Sequence, residues 1–148
     1  MRDSFTPPET PRLGIRVRRS QSRRHFFKTH FRVFIADREV GVHSISPLWL
    51  EDPDPLDGIP QTVTLRRAAS TDRLFFAWRS GISAGRDDAR DVTIVQLDGP
   101  DGGAVNIWRL RTAVPLRWSG PDLDAQSDDI AFEEIEVTYD EIEWRRSV

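Results

Sequence analysis

The sequence predicts a mainly β domain with one short helix. Three observations lead there. Phe31, Val33 and Ile35 alternate with Arg32, Phe34 and Ala36, and residues 61–65 alternate again with Val63 and Leu65 on one face, the period-two signature of strands. Glycine- and proline-dense turns separate short apolar runs, most clearly Asp98-Gly-Pro-Asp-Gly-Gly103. Only one stretch, Leu74, Phe75, Trp78 and Ile82, carries an apolar stripe at helical spacing.

Taken in order, residues 1–25 are rich in Pro, Ser and Arg. They predict a basic arm that packs no core of its own, with the β domain at residues 26–148. Phe31, Val33 and Ile35 form one face of a first strand. Asp37, Arg38 and Glu39 predict a polar turn, and Val40, Val42 and Ile45 a second strand completing a hairpin. Residues 52–60, with three prolines, predict a loop. Val63 and Leu65 share a face of the next strand. Ser70 or Thr71 is the expected helix cap, with Asp72 in the first turn favoured by the helix dipole. Gly81 and Gly85 bracket the helix end.

Residues 92–97 and 105–110 pair across the turn at 98–103. Both runs are apolar on both faces: Val95 and Leu97 oppose Val92 and Ile94, and Val105 and Ile107 alternate with Trp108 and Leu110. Such strands are covered on both sides, by a neighbouring subunit or by a sandwich corner or helix. Pro115 is expected to interrupt the apolar stretch at 113–118. In the last strand, Ile130 and Phe132 share one parity and Ile135, Val137 and Tyr139 the other. An extra residue at Glu133-Glu134 would repair the phase, which predicts a β-bulge there. Residues 140–144 continue the strand or form a turn.

Composition narrows the function. The chain has 148 residues, 38% hydrophobic and 30% charged, the profile of one soluble domain. It has no cysteine, which excludes disulfides, a thiol nucleophile and thiolate metal sites. No window has the length and apolarity of a membrane span. The first ten residues have no apolar h-region, so no signal peptide is expected. The net charge of −3 hides a gradient. Residues 1–40 carry ten Lys or Arg against four Asp or Glu, and residues 120–148 carry two against ten.

Catalytic chemistry finds no candidate. His25 and His30 lack helical metal-ligand spacing, and they read as surface histidines. Asp52, Asp54, Asp57 and Gly58 miss the EF-hand register and lack its glutamate, so they read as an acidic turn. There is no phosphate-binding glycine loop, nucleophile elbow or zinc-binding helix motif. No catalytic, metal or cofactor residue is therefore nominated, and no enzyme is expected. The Arg-rich arm, with Phe26 and Phe27 beside it, is compatible with nucleic acid as one partner class. A subunit-binding arm is the other.

Ordered pieces of the chain resemble the contractile phage tail-tube family, which includes tube proteins of phage tails and of extracellular contractile injection systems. Ala113-Val-Pro-Leu-Arg-Trp-Ser-Gly-Pro-Asp-Leu-Asp-Ala125 is similar to its Pro-x-basic-Trp-x-Gly-Pro-x-Leu-x-Ala signature. Thr64-Leu-Arg-Arg67, the stretch from Asp72 to Trp78, the strand ending at Leu97, the Trp108–Leu110 strand and the stretch from Ile130 to Ile142 resemble further family segments in order. Val114 stands where the family has an aromatic residue. Residues 46–60 are shorter than the family's ring-engaging segment, and the N-terminal arm is an addition.

The resemblance implies two packed antiparallel sheets, a tail-tube-like β-sandwich or barrel, with one short flanking α-helix. It implies hexameric rings stacked into a tube, a lumen for cargo, and sheath, baseplate or spike proteins as partners. No cofactor and no membrane anchor are implied. Assembly in the bacterial cytoplasm, as part of a phage tail or a tail-like particle released from the cell, follows from it. The shortened segment and added arm suit a baseplate tube initiator or terminal ring as the alternative role. A nucleic-acid-binding β domain is the alternative of a different class. Leu65, Trp78, Ile94, Trp108, Pro115, Trp118, Phe132, Ile135 and Val137 are the motif and core candidates. The interface candidates are Arg16, Arg18, Arg19, Arg23 and Arg24 on the arm, with Trp49, Asp52, Asp54, Asp57, Glu134 and Glu136. The charge gradient predicts that the arm docks on an acidic surface of a neighbour.

Overall fold

A computed structural model describes residues 25, 26, 28–50 and 61–147. Residues 1–24 of the arm and the loop at 52–60, and with them Arg16, Arg18, Arg19, Arg23, Arg24, Asp52, Asp54 and Asp57, lie outside the described residues.

Strands β1 (Phe31–Ile35) and β2 (Arg38–Val40) form the expected hairpin, with Val33 opposite Val40. The turn comes earlier than predicted. It is Ala36-Asp37, and Arg38 and Glu39 occupy strand positions. A two-residue hairpin loop needs a positive φ, and Ala36 supplies it at +57°. The second strand does not run on to Ile45. Strand β3 (Ser44–Ile45) instead pairs with β4 (Thr62–Ala68) in the other half of the fold.

Helix α1 spans Leu74–Ser83 and buries Phe75, Trp78 and Gly81. Neither Ser70 nor Thr71 caps it. Asp72 precedes the helix, and its Oδ1 accepts the amide of Leu74 at 3.0 Å, satisfying one of the orphan donors of the first turn. Strands β5 (Arg90–Leu97), β6 (Ala104–Ser119), β7 (Phe132–Thr138) and β8 (Glu141–Arg146) follow.

Among the described residues all strand pairs are antiparallel and link in the order β2-β1-β5-β6-β7-β4-β3, with β8 also on β6. The two expected sheets are thus halves of one continuous sheet that share β6. Residues 104–113 of β6 pair with β5, and 106–111 also with β8; residues 114–119 pair with β7. Thr112, at φ +56°, lies within the β5–β6 register shift where the strand passes between halves, as bulges do at barrel corners.

Two strand expectations are corrected. Pro115 does not end a strand. It is buried within β6, opposite Val137, and the register slips by one residue at Leu116. A bulge beside Pro115 accommodates its missing N–H. The bulge expected at Glu133-Glu134 is absent: β7 pairs with β4 without a break from Ala68–Phe132 to Thr62–Thr138. The apparent phase slip arises because Phe132 faces outward and Glu133 faces the core. Val33, Ile35, Val63, Leu65, Phe75, Trp78, Val92, Ile94, Leu110, Ile135 and Val137 make up most of that core.

Candidate assembly surfaces

The outer surfaces are held in place by a buried polar cluster. Arg67 follows Val63 and Leu65 on the core parity of β4, and Glu133 precedes Ile135 and Val137 on that of β7. The two residues are register partners, and their side chains are each 6% exposed. Arg67 Nε donates to Glu133 Oε2 at 3.0 Å, and Trp118 Nε1 donates to Glu133 Oε1 at 2.9 Å. Arg67 also donates through Nη1 to Asp72 Oδ2 at 3.1 Å and through Nη2 to the Asp72 carbonyl at 2.8 Å. Its guanidinium lies 4.1 Å from the Phe75 ring centroid. Arg38 reaches the same Asp72 oxygen at 2.8 Å. One cluster therefore ties β2, β4, β6 and β7 to the start of α1. The Leu74 amide, with Arg67 and Arg38, holds the Asp72 carboxyl below its ordinary pKa.

A second polar contact fixes the chain before residue 51. Tyr139 O–H donates to the Trp49 carbonyl at 2.8 Å, and Trp49 Nε1 donates to the Thr62 carbonyl at 3.1 Å. Burial raises the Tyr139 pKa.

Around this scaffold lie three features suited to contact. The first is a groove of about 870 Å³ lined by Asp122, Leu123, Asp128, Asp129, Ile130 and Glu134, among others. Leu123 is 80% and Ile130 68% exposed. Second, strand β8 pairs only with β6 among the described residues, so its other edge is open. Trp144, 64% exposed, stands on it and stacks on Trp108 at 6.4 Å. Third, a recess of about 410 Å³ beside α1 is lined by Phe76, Arg79, Leu116 and Trp118. The Phe76 and Trp118 rings meet edge-on there at 5.1 Å.

Leu65, Trp78, Ile94, Ile135 and Val137 are core residues, and Pro115 is buried. Trp108 and Trp118 pack against the core while half-buried. Phe132 is not a core residue: it lies on the outer face, under Arg66 at 3.9 Å and against His43 at 4.8 Å. Glu134 and Glu136 share that outer face of β7, half-exposed, and Glu134 pairs with Arg66 at 3.6 Å. Trp49 is half-buried. The faces of β5 and β6 carrying Val95, Leu97 and Ile107 are half-exposed. Sequence reading missed the Arg67–Glu133 pair, although opposite charges at core parity on two strands were the available signal.

A family model described as T4-like virus tail tube protein gp19 matches residues 60–143. No curated protein sequence matches. Among solved structures, the chain is similar to one in the cryo-EM structure of the sheath-tube complex of PVC, an extracellular contractile injection system, in the extended state. The TM-score is 0.74 at 23% identity, covering 86% of this chain and 97% of that one. It is also similar to a chain of the anti-feeding prophage cap, the AFP tube terminating cap, with TM-score 0.72, 19% identity and coverage of 84% and 93%. A chain of the PVC sheath/tube terminator in the extended state gives 0.71, 22%, 82% and 97%. At these identities the likeness is one of fold.

Proposed function

The chain belongs to the T4-like virus tail tube protein family, and from that premise we propose that it is a ring-forming subunit of the inner tube of a contractile injection system or phage-like tail. The observation that carries the reading is the family match over residues 60–143, which takes in β4, α1, β5, β6 and β7 and the first half of β8. That span includes strands of both halves of the sheet and all of the buried cluster except Arg38. The family is one of structural tube components, and the role is mechanical.

The physical form of the surface supports assembly. Open edges such as that of β8 present unpaired backbone groups, and sheet joining across subunits satisfies them. The same joining covers the half-exposed faces of β5 and β6. Six subunits close a ring, rings stack, and the lumen passes cargo. Sheath, baseplate or spike proteins are the partners, within a tail-like particle assembled in the bacterial cytoplasm and able to act outside the cell. The arm residues, Trp49, the acidic residues at 52–57, Glu134 and Glu136 are the proposed subunit contacts.

A terminal ring is the second reading. The similarity to the AFP tube terminating cap and the PVC terminator favours it. Native mass measurement of the full chain tests the main reading. Six times the 17.0 kDa chain mass, or multiples of it, is expected. A monomer at high concentration that binds oligonucleotides in a salt-sensitive way would overturn it.

A further inference from the structure

We propose that the groove between residues 119–134 is the seat of the Arg-rich N-terminal arm of a neighbouring copy. This rests on the ring reading, because it needs a neighbour.

The groove has two matched features. Asp122, Asp124, Asp128, Asp129 and Glu134 line it against one arginine, Arg66, which pairs with Glu134 at 3.6 Å. Asp122, Asp124, Asp128 and Asp129 are exposed and make no ion pair among the described residues. Between these charges stand Leu123 and Ile130, both largely exposed. Leaving large apolar side chains in water beside a carboxylate cluster is unfavourable unless something covers them.

Residues 1–24 carry the complement of both features. They hold seven Arg against two acidic residues. Leu13, Ile15 and Val17 alternate with Gly14, Arg16 and Arg18. A period-two segment laid in the groove puts its apolar side on Leu123 and Ile130. Its arginines then face the aspartates.

The length of the arm puts a neighbour's groove within reach. Lys28, Thr29 and His30 line a cavity together with His43. His43 packs on Phe132, which lines the groove. The arm thus leaves the domain beside its own groove. The matched stretch, Leu13 to Arg18, lies ten to fifteen residues before Lys28, at most about 33–54 Å of chain. That reach is about the width of a domain this size, whose radius of gyration is about 14 Å. It is long enough for the stretch to reach the same groove on the next copy.

The absence of native cysteine gives a clean test in the full chain. One preparation carries Val17→Cys and a mass tag, and the other Leu123→Cys. Far-UV circular dichroism confirms that both fold. Mixed and oxidised at low salt, they should give a disulfide-linked heterodimer. Its yield should fall at least tenfold, to order of magnitude, in 1 M NaCl, where the Debye length shrinks to about 3 Å. Asp122→Asn, Asp124→Asn, Asp128→Asn and Asp129→Asn together, in the Leu123→Cys chain, should cause a similar loss.

A heterodimer indifferent to salt and to those substitutions overturns the inference. So does a double-cysteine chain that links only within itself. Particle images of the same samples separate this from the tube reading. Rings whose subunits do not link overturn the groove assignment alone. Linked chains that form no rings overturn the tube reading and uphold the groove assignment.

Discussion

Removing the Glu133 carboxylate should destabilise the domain far more than removing any surface acid. Glu133→Ala leaves Arg67, only 6% exposed, without the partner of its Nε. It also leaves Trp118 Nε1 without its acceptor. Breaking a buried pair from one side costs about 3–5 kcal/mol. Asp72 keeps two bonds to the guanidinium, which places the loss near the lower end, about 3 kcal/mol. With a urea dependence of about 2 kcal/mol per molar, the midpoint falls by roughly 1.5 M. Tryptophan fluorescence reports it directly, because Trp118 bonds the substituted residue. The double change Arg67→Met with Glu133→Leu should cost less than Glu133→Ala alone, since no unpaired buried charge then remains and only the Trp118 acceptor is lost. A loss below about 1 kcal/mol for Glu133→Ala, the range of exposed pairs, would refute this reasoning.

The carboxyls of Asp72 and Asp88 have depressed pKa values in the fold, chiefly through the Leu74 amide and the Arg90 guanidinium respectively. Their stabilisation is complete above the unfolded value, about 3.9, and is lost as pH falls through the lower folded values. Acid titration should show this loss, and Asp72→Asn should flatten it. Gly102→Ala should destabilise the β5–β6 hairpin by about 1–3 kcal/mol, because a Cβ there would run into the Asp98 carbonyl; thermal unfolding checks it. Thr112→Gly should stabilise the fold by up to about 1 kcal/mol, since φ +56° is strained for a β-branched residue; an equal or lower melting temperature would count against strain at the bend.

Strands with regular alternation were legible in the sequence. Val33 and Ile35, and Val63 and Leu65, lie on the buried face as their spacing predicts. The helix was equally legible from Phe75 and Trp78. Legibility failed where tertiary contacts override local pattern. Glu133 breaks the apolar parity of β7 and so imitated a bulge, yet it is buried because Arg67 meets it from the facing strand. Pro115 imitated a strand end, and the bulge at Leu116 absorbs it. The β6 passage between halves depends on Thr112, whose backbone conformation its residue type does not announce. Of the assembly surfaces, the acidic charge of residues 119–134 was visible. Its union with exposed Leu123 and Ile130 in one groove needed coordinates.

Cryo-EM of the full chain produced together with a contractile sheath tests the central claim most directly. The account predicts six-fold rings of this chain around an open lumen, with strands continuing from one subunit into the next. Sheaths that assemble around a lumen lacking this chain, while it stays a monomer, would contradict it.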